Sequence, residues 1–234
     1  NLDRFSQLAT RDYGDTWFAP GDLDHALAQI ENDARHILSQ GSRLLTLGGE
    51  HLITLPLLRA HYQKYGPLAL LQFDSHSDLY DVWPRPYHGS VMAQALQEGL
   101  LAAERSLQVG IRSSPPPTAQ GPELPYLSAD WVLENGHKAT IERIHQAIAG
   151  HNCYLSYDID FLDPAYAPGT GTPVVGGPTT WQSKQILQGL AGLPFVGADV
   201  VELSPPFDPP GQPTALAAAS MAYWIVELLL DGKK

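Results

Sequence analysis

LALLQFDSHSD, residues 68–78, and NCYLSYDID, residues 152–160, each run apolar for the length of one strand and then stop on carboxylates. A short apolar run without alternation is the pattern of a strand buried on both faces. Three more segments share it: RLLTLGG at 43–49, SLQVGIR at 106–112 and FVGADVVEL at 195–203. Helical stretches lie between them. Leu23, Leu27, Ile30, Ala34 and Ile37 follow helical spacing after a cap at Asp22 or Asp24, and Gly41 ends the pattern. Further helices are expected over 53–65, with Pro56 in its first turn, and over 90–101, 140–149, 181–190 and 214–230. A proline-rich loop at Pro115–Pro117 and a long loop over 161–180 interrupt the alternation. Buried strands separated by helices predict an α/β fold with a mostly parallel sheet covered on both faces. Ligands of such sheets sit beyond the carboxyl ends of the strands, where these acids fall.

Composition narrows the partners. At 234 residues, with 44% hydrophobic and only 17% charged residues, the chain can bury a sizeable core as one domain over 1–234. Its net charge of −11 disfavours nucleic acid and an acidic membrane surface and favours cations. The one cysteine, Cys153, cannot form an intrachain disulfide, and no signal-peptide pattern opens the chain, so a reducing, cytoplasmic setting is expected. The longest apolar tract, MAYWIVELLL at 221–230, contains Glu227 and is short for a bilayer. The chain begins at Asn1 without a methionine, and is read as part of a longer protein.

The acids recur at period two: Asp74, His76 and Asp78 after the first strand, Asp158 and Asp160 after the second. On extended backbone such residues share a side, so each set is expected to converge. Carboxylates gathered at the ends of buried strands repel and are costly to desolvate unless a cation sits among them. Oxygen-rich sites with some imidazole suit Mn²⁺, with Zn²⁺, Fe²⁺, Co²⁺ or Ni²⁺ as alternatives. That many groups, with carboxylates able to bridge, exceed what one ion needs; two ions roughly 3.5 Å apart are the natural reading. GGEH at 48–51 follows another strand, and its glycines permit a tight turn that brings His51 to the same sheet edge.

GGEHLITLPLLRAH, FDSHSD and YLSYDIDFLDPAYAPGTGTPVVGG, in this order, resemble the ureohydrolase (arginase/agmatinase) family, its bacterial agmatinases in particular. The resemblance implies a three-layer αβα fold, a homotrimer or homohexamer, and hydrolysis of a guanidinium group to urea and an amine. It further implies that His51, Asp74, Asp78 and Asp158 hold one Mn²⁺ and Asp74, His76, Asp158 and Asp160 the other. By the same resemblance Glu202 in DVVELSPPFD holds the guanidinium and His88 in PYHGS moves protons; Asp78 is expected to accept a hydrogen bond from the attacking oxygen and aim it. The chain departs from the family's usual GGDH at Glu50, which is not a ligand, and from its usual DAHTD and DIDCLDP at Ser75, Ser77 and Phe161. By the resemblance, relatives begin with a further N-terminal segment that includes a central strand, and this sequence is expected to be the part that follows it. The polar segment that follows the first acid motif in arginine-specific relatives is replaced by LYDVWPRPYHG. Agmatine, a dication, is therefore the expected substrate, and Arg85 keeps guanidinobutyrate and guanidinopropionate as alternatives. A third reading is a catalytically silent homologue that binds polyamines.

Overall fold

A computed structural model describes residues 10–82, 84–113 and 123–231. Six strands, β1 (Leu44–Leu47), β2 (Ala69–Phe73), β3 (Leu107–Ile111), β4 (Tyr126–Ser128), β5 (Cys153–Asp158) and β6 (Phe195–Val201), form one sheet in the order β1-β6-β5-β2-β3-β4. Every pairing is parallel. The helices are α1 (Leu23–Ser39), α2 (Thr54–Tyr65), α3 (Val91–Gln97), α4 (Ala129–Ile148), α5 (Thr180–Gln188) and α6 (Pro213–Asp231).

Alternation along the strands builds the two outer layers. Leu71, Leu155 and Ala198 face one way, into a core completed by Val132 and Ile144 of α4, Ile186 of α5 and Ile225 of α6. Their strand neighbours Leu70 and Tyr154 face the other, joined by Val196 at a register shift between β5 and β6, against Leu38 of α1, Leu58 of α2 and Met92 of α3. Each fully buried leucine contributes roughly 1.5–3 kcal/mol to this packing. The result is the αβα sandwich with a parallel centre that continuous apolar strands require. α6 is long and apolar enough by length and composition to cross a bilayer. Its buried residues, among them Ala217, Met221, Ile225 and Leu229, instead pack into the core on the α4 side.

Several expectations are corrected. The sequence pattern gives no sign of β4 or of the first half of α4. β4 is three residues long with Tyr126 exposed, too short to show a pattern. α4 is capped by Ser128, whose hydroxyl accepts from Trp131 N at 3.1 Å, and is broken at Gly136, where φ is 75°. The helix expected over 90–101 ends at Gln97 because Gly99 takes φ 70°. Pro115–Pro117 lie outside the described residues. The acids do converge, but not through extended backbone. β2 stops at Phe73, Asp78 adopts a left-handed φ of 52°, and Asp160 sits in a 3-10 turn over Ile159–Phe161.

β2 and β5 are neighbours, yet β2 leads to β3 on one side and β5 to β6 on the other. Their outgoing loops part, and the crevice left between them is where a ligand of such a sheet sits.

Candidate metal centre

His51, Asp74, His76, Asp78, Asp158 and Asp160 meet in that crevice. His51 Nδ1 lies 2.9 Å from Asp78 Oδ2, 3.2 Å from Asp158 Oδ2 and 3.4 Å from Asp74 Oδ2. His76 Nδ1 lies 2.9 Å from Asp160 Oδ2 and 3.5 Å from Asp74 Oδ1. The ligand atoms of His51, Asp74 and Asp158 fall within 4.8 Å of one another, and so do those of Asp74, His76 and Asp160. Asp74 belongs to both groups. All but His76 are buried. His51 Nδ1 and Asp160 Oδ2 nonetheless make no hydrogen bond of acceptable geometry, although buried polar atoms are seldom left so.

The charges tell the same story. Burial pulls the His51 imidazole down, but Asp78, Asp158 and Asp74 hold it well above 6.5. Burial likewise opposes the His76 charge, which Asp160 and Asp74 push up to about 11. Burial, with Asp160 and Asp74, drives Asp158 well up. Burial and Asp74 carry Asp160 up and Asp78 up to about 7. Against the pull of burial, the two imidazoles draw Asp74 below the ordinary carboxylate range. Four acids thus outnumber two imidazoliums, and the surplus must keep protons to stay buried. Divalent cations displace such protons. Oxygen donors with two imidazole nitrogens, orphaned atoms and surplus acid together fit metal ions held between these side chains.

Other polar residues fix the ligands, and sequence reasoning passed over them. His51 Nε2 lies 2.8 Å from Ser156 Oγ, which donates to Asp199 Oδ1 at 2.7 Å. The relay leaves Nδ1 turned to the acids. Gln72 Nε2 donates to Asp74 Oδ2 at 2.7 Å, and Gln108 Nε2 donates to Gln72 Oε1 at 2.6 Å. Backbone N–H groups aim the remaining oxygens, Ser75 N to Asp160 Oδ1 at 3.0 Å and Asp160 N to Asp158 Oδ1 at 2.8 Å. Arg112 donates to the carbonyls of Gly110, Asp160, Phe161, Leu162 and Val174, pinning the turn that carries Asp160. A signal was available for four of these. Gln72, Gln108, Ser156 and Asp199 are polar residues inside runs read as buried on both faces, where each must find a partner.

A cavity of about 260 Å³ opens onto the cluster, lined by His51, His76, Asp78 and Asp158 and, towards its mouth, by Tyr80, Tyr87, His88, Thr172 and Glu202. Glu202 takes a left-handed φ of 64°. Its N–H donates to Gly49 O at 2.8 Å, and its Oε1 accepts from His51 N at 2.6 Å. Burial raises its pKa. Arg85 does not line this cavity; it borders a neighbouring groove with Leu23, Glu50 and Pro86.

The Arginase family model matches residues 1–227. An agmatinase of Chromobacterium violaceum is 45% identical over 99% of this chain and 72% of its own length. A guanidinopropionase of Pseudomonas aeruginosa is 42% identical over 94% of this chain and 71% of its own. The crystal structure of a hypothetical agmatinase from Burkholderia thailandensis superposes with a TM-score of 0.89 at 46% identity, covering 97% of this chain and 71% of that one. A match across nearly the whole chain, on a sheet whose switch point gathers these acids, makes it a ureohydrolase of the arginase family.

Proposed function

We propose that the protein hydrolyses agmatine to putrescine and urea. The observation that carries this reading is the cavity wall: acids at the floor, Glu202 and two tyrosines above, and no lysine or arginine among its lining residues. A substrate with a cationic tail suits that wall, and one ending in a carboxylate meets no lysine or arginine among the described residues that line it. The identity to an agmatinase of Chromobacterium violaceum supports the same reading.

In this reading His51, Asp74, Asp78 and Asp158 would hold one metal ion, and Asp74, His76, Asp158 and Asp160 would hold a second. Mn²⁺ is the ion such an oxygen-rich set favours. Divalent ions there supply Lewis acidity and make water a nucleophile near neutral pH. The chain's own groups do the rest. Glu202 pairs with the planar guanidinium through its carboxylate, an arrangement worth more than an ordinary hydrogen bond. Asp78 accepts a proton from the attacking water at Oδ2 and so orients it. A C–O bond forms at the guanidinium carbon and the C–N bond to the alkyl nitrogen breaks. The departing nitrogen takes a proton from the His88 imidazolium at Nε2; as the hydroxyl becomes the urea carbonyl, its proton and the one held by Asp78 restore His88 and complete the ammonium.

Urea release is measured with agmatine, arginine, 4-guanidinobutyrate and 3-guanidinopropionate side by side on Mn²⁺-loaded protein. Agmatine is expected to be turned over fastest. Faster turnover of a guanidino acid would overturn the substrate and direct attention to Arg85.

A further inference from the structure

We infer that Glu50 is a positioning residue that fixes the ring of His88. This rests on the His88 role just proposed and extends it to a residue with no metal to bind. Glu50 opens a 3-10 turn over His51–Ile53, and its Oε2 accepts from Leu52 N at 3.1 Å. Its other oxygen, Oε1, accepts from His88 N at 2.9 Å and lies 2.8 Å from His88 Nδ1. One carboxylate therefore grips both backbone and ring of a residue 38 positions away. The Tyr87 ring stands edge-on to the imidazole, centroids 5.4 Å apart.

Both partners are about half exposed, with side-chain exposures of 52% for His88 and 46% for Glu50. A contact this open adds little to stability. What it does fix is a tautomer. With Nδ1–H directed at Oε1, the second nitrogen, Nε2, is the one presented to the cavity that His88 lines, where it takes up a proton to form the imidazolium and passes that proton to the departing nitrogen. The same four-residue turn supplies His51 to the acid cluster and Gly49 O to Glu202 N. It thus sets the spacing between ligand, guanidinium anchor and proton donor.

The test compares Glu50→Gln, Glu50→Asp, His88→Ala and the double variant Glu50→Gln/His88→Ala. Glu50→Gln is expected to lower kcat roughly 10- to 100-fold, with KM and bound metal unchanged. In the His88→Ala background the same change is expected to cost less than about twofold, since the group it acts through is gone. Glu50→Asp should recover part of the loss. The second readout is the ¹⁵N shift pair of the His88 ring, on protein loaded with diamagnetic Zn²⁺. It should report Nδ1–H in the parent and a mixture of tautomers in Glu50→Gln. Equal losses in both backgrounds would make Glu50 a structural residue and overturn the proposal, as would an unchanged tautomer. If His88→Ala leaves turnover intact, the proton-donor role of His88 falls instead, and the ring shifts still judge the pairing.

Discussion

Two groups of buried acid lie a few residues apart in this sheet and are treated differently. Asp199, on β6, is fully buried, and its oxygens accept three hydroxyls: Ser156 Oγ at 2.7 Å, Thr54 Oγ1 at 2.8 Å and Tyr154 OH at 2.8 Å. The acids at the ends of β2 and β5 have two imidazoles among four carboxylates, and two of the cluster's atoms are left without hydrogen bonds. Neutral donors suffice to seat a single buried carboxylate. No set of them serves four. The satisfied acid is framework, and the unsatisfied group fits metal cations.

The sharpest way to break that distinction is to remove Asp74, whose carboxylate belongs to both clusters of donor atoms. Asp74→Ala should lose bound metal, read by elemental analysis, and lower urea release by about three orders of magnitude or more. A variant that kept its full metal content would show that the two groups do not depend on a shared carboxylate. The framework acid should behave otherwise. Asp199→Asn and Ser156→Ala should each leave the metal in place at saturating concentration but weaken its affinity roughly 10- to 100-fold, because His51 loses the relay that orients it. Leaving a hydroxyl unpaired should also cost about 1–3 kcal/mol of stability, read by denaturant titration. If Asp199→Asn abolished metal binding outright, it would belong with the site.

How far these roles are legible in the sequence follows the same division. The strands announce themselves by apolar runs, and the ligands by acids where those runs end, so the layered fold and the six clustered residues can be named from the chain alone. β4 cannot, because three residues with an exposed tyrosine carry no period. Asp199 and Ser156 were visible as polar interruptions of FVGADVV and CYLSYD, but their partners lie on other strands. Glu50 shows the harder case. Judged by the metal alone it is inert, and its pairing with His88 joins two turns that no local pattern connects. Asp74 and Asp160 converge for a reason the chain does not display, since backbone N–H groups of tight turns, not extended geometry, aim their oxygens.

A smaller effect sharpens the contrast through pH. In metal-free protein the folded-state pKa of Asp78 is up to about 7 by burial and Asp74, and Asp158 and Asp160 are raised too. An acid raised on folding binds its proton more tightly folded than unfolded, so its contribution to stability falls as pH climbs from its unfolded value of roughly 4 through its folded one. The lowered pKa of Asp74 acts only in acid: its stabilisation is present above roughly 4 and is lost below. His76, raised to about 11 against burial by Asp160 and Asp74, stabilises fully below roughly 6.5 and loses that contribution only as pH rises beyond. Between pH 5 and 7 the surplus acids therefore dominate, and stripped protein should lose on the order of 1–2 kcal/mol. Metal-loaded protein should move the opposite way, because bound cations replace those protons and their affinity grows as the ligands deprotonate. Calorimetry of Mn²⁺-loaded and chelator-stripped protein at pH 5.5, 6.5 and 7.5 should show the gap in Tm widening at each step. A gap independent of pH would mean that metal binding displaces no protons here. The unsatisfied acids would then be no more than a second framework, buried like Asp199.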